Sequence, residues 1–162
     1  MTDGKTETDI WLEDFLGKLI EMSGLDLWIE ELDVDDRTRT FVAMLDGPDK
    51  ARAIGRDGQA LEALQHLVVS AAANAGISRD RILIDVDGYR QRRDDKVKED
   101  AERLARETLE TMRPVDLEPM NPRERRLVHM VVSSIDGVTT ESVGRGEDRF
   151  VRLIPGGQEA GG

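Results

Sequence analysis

The chain has no cysteine, which removes disulfides, thiolate metal sites and cysteine nucleophiles together. It has only two histidines, His66 and His129, far apart along the sequence. With no thiolates beside them, a transition-metal centre is not expected. The first apolar run is broken by Glu13, Asp14 and Lys18, so it reads neither as a signal peptide nor as a membrane span. A cytoplasmic protein without membrane insertion is the expectation. The glycine pair Gly55 and Gly58 lacks the Lys-Ser/Thr that completes a P-loop. No Ser/His/Asp ordering stands out, and carboxylates such as Asp26, Glu30 and Asp33 fall in a surface-like strand and turn. These absences argue against an enzyme, and no cofactor is expected. No internal repeat is visible.

What the chain has in quantity is charge. Its 162 residues carry 34 acidic and 23 basic side chains, a net of −11. That balance argues against a protein that coats nucleic acid by bulk electrostatics. The acidity is uneven, however. Residues 1–50 hold 14 acidic and 5 basic side chains, whereas residues 51–90 hold 5 of each. The negative field therefore belongs mostly to the N-terminal third, and a local nucleic-acid site further on is compatible with it.

Hydrophobic periodicity orders the elements. Residues 1–9 are expected to be disordered. Ile10, Trp11, Phe15, Leu16, Leu19 and Ile20 recur at helical spacing up to Gly24. Leu25, Leu27 and Ile29 alternate as a strand, the cluster Asp35-Asp36-Arg37 turns, and Phe41, Ala43 and Leu45 alternate as a second strand of a hairpin. Pro48 opens a short helix to about Ile54, and Leu61, Leu64, Val68, Ala71 and Ala72 mark a longer one that Gly76 ends. Ile82, Ile84 and Val86 form a third strand. A charged helix follows from Tyr89 to Met112, with Val97, Ala101, Leu104, Ala105, Thr108 and Met112 as its apolar stripe. Asp94–Lys98, Glu99–Arg103 and Glu102–Arg106 are spaced as supporting i,i+4 pairs along it. Val115–Glu118 suits a short strand. Asn121-Pro122-Arg123-Glu124 is a helix start, with an Asn cap, Pro at the first position and Glu at the third. Strands at Val138–Gly144 and Arg149–Ile154 complete the set. A boundary near Gly88 divides residues 10–88 from 89–155, and residues 156–162 form a tail expected to be disordered.

Two stretches carry function. Ile54-Gly55-Arg56-Asp57-Gly58-Gln59-Ala60-Leu61 places two glycines before a helix, whose free N–H groups and positive dipole end suit an anion. The element order before Gly88 resembles the type II K-homology (KH) fold, with this stretch where that family carries its G-x-x-G loop. The resemblance implies that the loop holds the backbone of single-stranded RNA, or of single-stranded DNA, against an apolar groove. Gly55, Gly58 and Gln59 then lie in the loop, Ile54 and Leu61 wall the groove, and Arg56 meets phosphate. Asp57 departs from the pattern, because a carboxylate beside a phosphate opposes binding. A tight inter-helix turn is the competing reading of the same glycines.

On the helix from Asn121, Arg125 and His129 stand four apart. With Leu127, Val128, Val131, Val132 and Ile135 buried, a wheel of about 100° per residue turns Arg125, Arg126 and His129 outward, with Arg123 extending the face. A single histidine is most often a structural hydrogen-bonder, as for His66. Beside these arginines, His129 reads as part of a binding face. Arg125-x-x-x-His129 resembles the R-three-H domain, a single-strand binder, and its pairing with a KH-like domain resembles the Jag/KhpB family of bacterial RNA-binding proteins. That resemblance implies an α+β chain in which a KH-like domain (α-β-β-α-GxxG-α-β) precedes a small R-three-H-type domain. It also implies regulation of RNA linked to envelope growth and division, and a small single-KH partner. About nine residues precede the first helix, so the separate N-terminal domain of many members is not expected here. The alternative is a protein-interaction adaptor whose KH-like domain no longer binds RNA.

Overall fold

The computed structural model describes residues 6–35, 37–77 and 81–156. The chain divides into two compact units, Met1–Arg90 and Gln91–Gly162. In the first, α1 (Glu7–Ser23) precedes β1 (Trp28–Asp35) and β2 (Thr40–Asp46). The short α2 (Lys50–Ile54), a 3-10 turn (Arg56–Gly58), α3 (Gln59–Asn74) and β3 (Arg81–Val86) follow. This is the element order expected from the sequence. The sheet runs β1-β2-β3, with β1 antiparallel and β3 parallel to the central strand.

Residues 6–9 correct the expected disordered start. Thr6 caps α1 through a reciprocal pair: Asp9 N donates to Thr6 Oγ1 at 3.2 Å, and Thr6 N donates to Asp9 Oδ2 at 2.8 Å. Two otherwise unpaired backbone donors are thereby satisfied. The rest of that segment, residues 1–5, lies outside the described residues, as does 157–162 of the expected tail.

The first strand also begins later than the alternation of Leu25, Leu27 and Ile29 suggests. The pairing of β1 with β2 shifts between Ile29 and Glu31. The bulge lets odd-numbered Ile29 and even-numbered Leu32 and Val34 all pack against the core, because one extra residue reverses the alternation. Phe41, Ala43 and Leu45 from β2, Ile82, Ile84 and Val86 from β3, Leu12 and Leu16 from α1, and Leu61, Val68 and Ala72 from α3 form that core.

The second unit places α4 (Tyr89–Thr111) and α5 (Pro122–Val132) with a sheet of β4 (Val115–Asp116), β5 (Val138–Val143) and β6 (Phe150–Pro155). Its order is β4-β6-β5, antiparallel throughout. Val97, Ala101 and Ala105 of α4 meet Val128 and Val132 of α5 over Val151 and Leu153. Met112, expected at the end of the apolar stripe, is exposed at a φ of 52° just past the helix. The expected pairing of Asp94 with Lys98 is replaced by one across helices: Asp94 binds Arg123 of α5. No helix among the described residues is long and apolar enough to cross a membrane.

The join between the two helices is an ion pair. Arg93 Nε donates to Glu124 Oε1 at 2.7 Å, and Asn121 N donates to Glu124 Oε2 at 3.2 Å. In return Glu124 N donates to Asn121 Oδ1 at 2.9 Å. Glu124 is 2% exposed. Removing one partner of a buried pair leaves the other charge uncompensated, at a cost of about 3 kcal/mol. Glu124→Ala should therefore lower unfolding free energy by about that amount in urea denaturation followed by circular dichroism. Glu124→Gln, which still caps Asn121 N, should lose less.

Candidate nucleic-acid interface

The glycine loop owes its sequence to close packing. Gly55 (φ 71°) and Gly58 (φ 79°) both occupy left-handed backbone, where a side chain is strained. Space is short as well. A Cβ on Gly55 would lie 2.7 Å from Ala60 Cβ, and one on Gly58 would lie 2.8 Å from Tyr89 Cε1. The first contact tucks the loop against its own helix; the second seats it beneath the Tyr89 ring. Between them Arg56 and Asp57 are exposed, Asp57 also at positive φ (52°).

Loop residues therefore separate into two groups. Arg56, Asp57 and Gln59 are exposed, and Ile54 is half-buried against the core. Gly58 is buried, and Leu61 is 1% exposed within the core. Leu61 thus supports the sheet and does not wall an outer groove, a correction that follows from its place on the inward stripe of α3. Three other cations of this unit near the loop and sheet are engaged. Lys50 reaches Asp46 and Asp87 at 3.3 and 3.0 Å, Arg52 reaches Asp49, and Arg90 reaches Glu62 at 2.8 Å and the Ile84 carbonyl at 2.9 Å. The roles of Tyr89 and Arg90 in fixing the loop and α3 carry no local signal in the sequence, because their partners are distant along the chain.

In the second unit the wheel of α5 is rotated from the expected one. Its buried residues are Glu124, Val128 and Val132, with Leu127, Val131 and Ile135 only half-buried. At about 100° per residue this moves the inward direction toward Arg125 and His129. Both are half-buried as a result, and Arg123, Arg126, Met130 and Ser133 make the exposed face.

His129 is correspondingly fixed. Its Nδ1 lies 2.6 Å from Thr140 Oγ1 and its Nε2 3.0 Å from Ser142 Oγ, both on β5. A neutral imidazole satisfies this arrangement with one nitrogen donating and the other accepting. Burial, and secondarily the positive charge of Arg125, hold its pKa below the ordinary histidine value. The outward-facing histidine expected from spacing is instead a half-buried hydrogen-bonding group wedged between helix and edge strand.

The arginines differ in availability. Arg125 Nη1 donates to the Met120 carbonyl at 2.7 Å, and Arg123 is paired with Asp94. Arg126 is exposed and, among the described residues, forms no ion pair. Met120 N in turn donates to the Arg149 carbonyl at 3.1 Å, which draws exposed Arg149 into the neighbourhood of Arg125. Arg149 was not singled out from spacing; strand pairing, not local pattern, supplies it.

Residues 95–155 match the model of the R-three-H domain family. The chain is 37% identical over 121 residues to the RNA-binding protein KhpB of Lactiplantibacillus plantarum, covering 75% of this chain and 38% of that protein. It is 36% identical over 110 residues to the RNA-binding protein KhpB of Clostridium symbiosum, covering 68% and 49%. With the protein of that name from Bacillus subtilis it shares 30% over 123 residues, covering 75% and 59%. The chain spans about half the length of the curated relatives it matches.

The environment of His129 sets a pH dependence. A histidine whose folded pKa is depressed contributes stability that is intact above its unfolded value of 6.5. That contribution declines as pH falls below this value, where the unfolded chain binds the proton and the folded one resists it. An NMR titration of the His129 ring should give a midpoint below 6.5. The loss of stability between about pH 7.5 and 5.5 should be smaller in His129→Gln than in the parent protein.

Proposed function

We propose that this chain, which is similar to the KhpB proteins and matches the R-three-H domain over residues 95–155, is a non-enzymatic RNA-binding protein that takes single-stranded RNA. The observation that carries this reading is the α5 face. Arg126 stands exposed, Arg125 is braced on the Met120 carbonyl, and neutral His129 is oriented by Thr140 and Ser142. Phosphates meet Arg126 and the outer edge of Arg125, while the hydroxyls of Thr140 and Ser142, held in place by His129, supply uncharged hydrogen bonds to sugar or base. Arg123 contributes less, since Asp94 already holds it. The glycine loop is the second and weaker contact: Arg56 attracts a backbone that Asp57 repels. A small single-KH protein as partner, and envelope growth and division as the setting, extend the same reading. Single-stranded DNA is the second candidate ligand.

The adaptor alternative draws support from one observation, the closure of Gly58 beneath Tyr89. Titration of fluorescent single-stranded RNA against salt separates the two. Arg125→Ala combined with Arg126→Ala should weaken binding by at least about tenfold at low salt. It should also flatten the slope of log affinity against log salt by roughly 1.4, the value for two phosphates on a single strand. Asp57→Asn keeps a residue suited to left-handed backbone and should raise affinity about threefold, as expected for one exposed charge. Absence of salt-sensitive binding by the parent protein would leave the adaptor reading in possession.

A further inference from the structure

The second unit contains a groove of about 320 Å³ between α4 and the segment 116–120. Its volume falls at the lower end of the range for small-ligand sites, roughly 300–1,000 Å³. The floor is apolar: Val97 and Leu117 are buried there, joined by Leu104 and Met120. The rim carries both signs of charge, most of them already matched. Arg93 binds Glu124, Arg103 binds Asp100 at 2.9 Å, and Asp116 binds Arg152 at 2.6 Å. Two rim residues differ. Lys96 and Glu118 are exposed, and among the described residues neither forms an ion pair.

This combination selects a ligand class. A simple anion would face the carboxylates of Asp100, Asp116 and Glu118, and a wholly apolar ligand would leave the rim groups without partners. A nucleobase has apolar faces for the floor and donors and acceptors along one edge for the rim. Met120 lines the groove and its carbonyl also holds Arg125, so the groove and the arginine face share a residue. Resting on the RNA reading above, we infer that the groove takes one base of the bound strand, and that this base carries an exocyclic amine. Glu118 accepts from the amine of cytosine or adenine, and Lys96 donates to the adjacent ring nitrogen. Uracil presents a carbonyl oxygen where the amine would be, which the Glu118 carboxylate cannot bind.

The full chain should be titrated with short cytidine and uridine oligonucleotides at one low salt concentration. The Met120 methyl group serves as an NMR reporter of the groove. The parent protein should prefer the cytidine strand by about tenfold, the scale of one hydrogen bond made against one refused. Glu118→Gln should bring the two strands within about twofold, and the Met120 methyl signal should move on binding cytidine. Equal binding of both strands by the parent protein overturns the inference. So does a preference that survives Glu118→Gln, or a Met120 signal that stays in place while RNA binds. In each of those cases RNA binding itself stands. Failure of both strands to bind overturns the RNA reading, and this inference with it.

Discussion

A carboxylate taken out of water must be met by donors, and in the second unit that constraint falls on Glu124. One of its oxygens takes Arg93 from α4 and the other takes the backbone of Asn121 at the start of α5. Together with Arg123–Asp94, this pair ties α5 to α4 at two points and sets the rotation of α5 about its own axis. From that rotation follows the division of the helix into a buried stripe, a half-buried flank that includes Arg125 and His129, and the exposed arginines Arg123 and Arg126. The candidate binding face is in this sense the outer consequence of an inner ion pair. Such a pair need not add net stability over an apolar substitute. Its effect here is to determine which side chains reach the surface.

The glycine loop shows a second way in which packing and function overlap. Its left-handed backbone and the closeness of Ala60 and Tyr89 require glycine at both positions whether or not a phosphate is ever bound. The motif therefore identified the element order correctly while overstating how open the loop is. What remains exposed is one cation and one anion, Arg56 and Asp57. Their opposed charges give the loop a weak field compared with the arginines of α5.

Several cations of this protein are matched by a neighbouring carboxylate. Lys50, Arg52, Arg90, Arg103 and Arg152 each have a carboxylate within 4.0 Å. The exposed pair Arg152 and Asp116 illustrates the effect on titration: the arginine's hydrogen bonds hold the Asp116 carboxyl below its ordinary range. A net charge of −11 therefore says little about any one site. Side chains without such partners among the described residues, Arg126, Lys96 and Glu118 included, are the ones available to a ligand.

Much of the fold was legible in the amino-acid order because its causes are local. The helix periodicities, the Asn121 cap with Pro122 behind it, the glycine stops and the alternation of β2 and β3 all act within a few residues. The Arg125–His129 spacing likewise picked out a helix that lies within the match to the R-three-H domain, residues 95–155. Misreadings came where a distant residue decides the outcome. The bulge that reverses β1 depends on pairing with β2, the burial of Gly58 depends on Tyr89, and the pairing of Asp94 depends on Arg123. The state of His129 depends on two hydroxyls of β5 that no helical wheel contains. Spacing along a helix gives angles relative to its own axis, and only the partners packed around it decide which of those angles faces water.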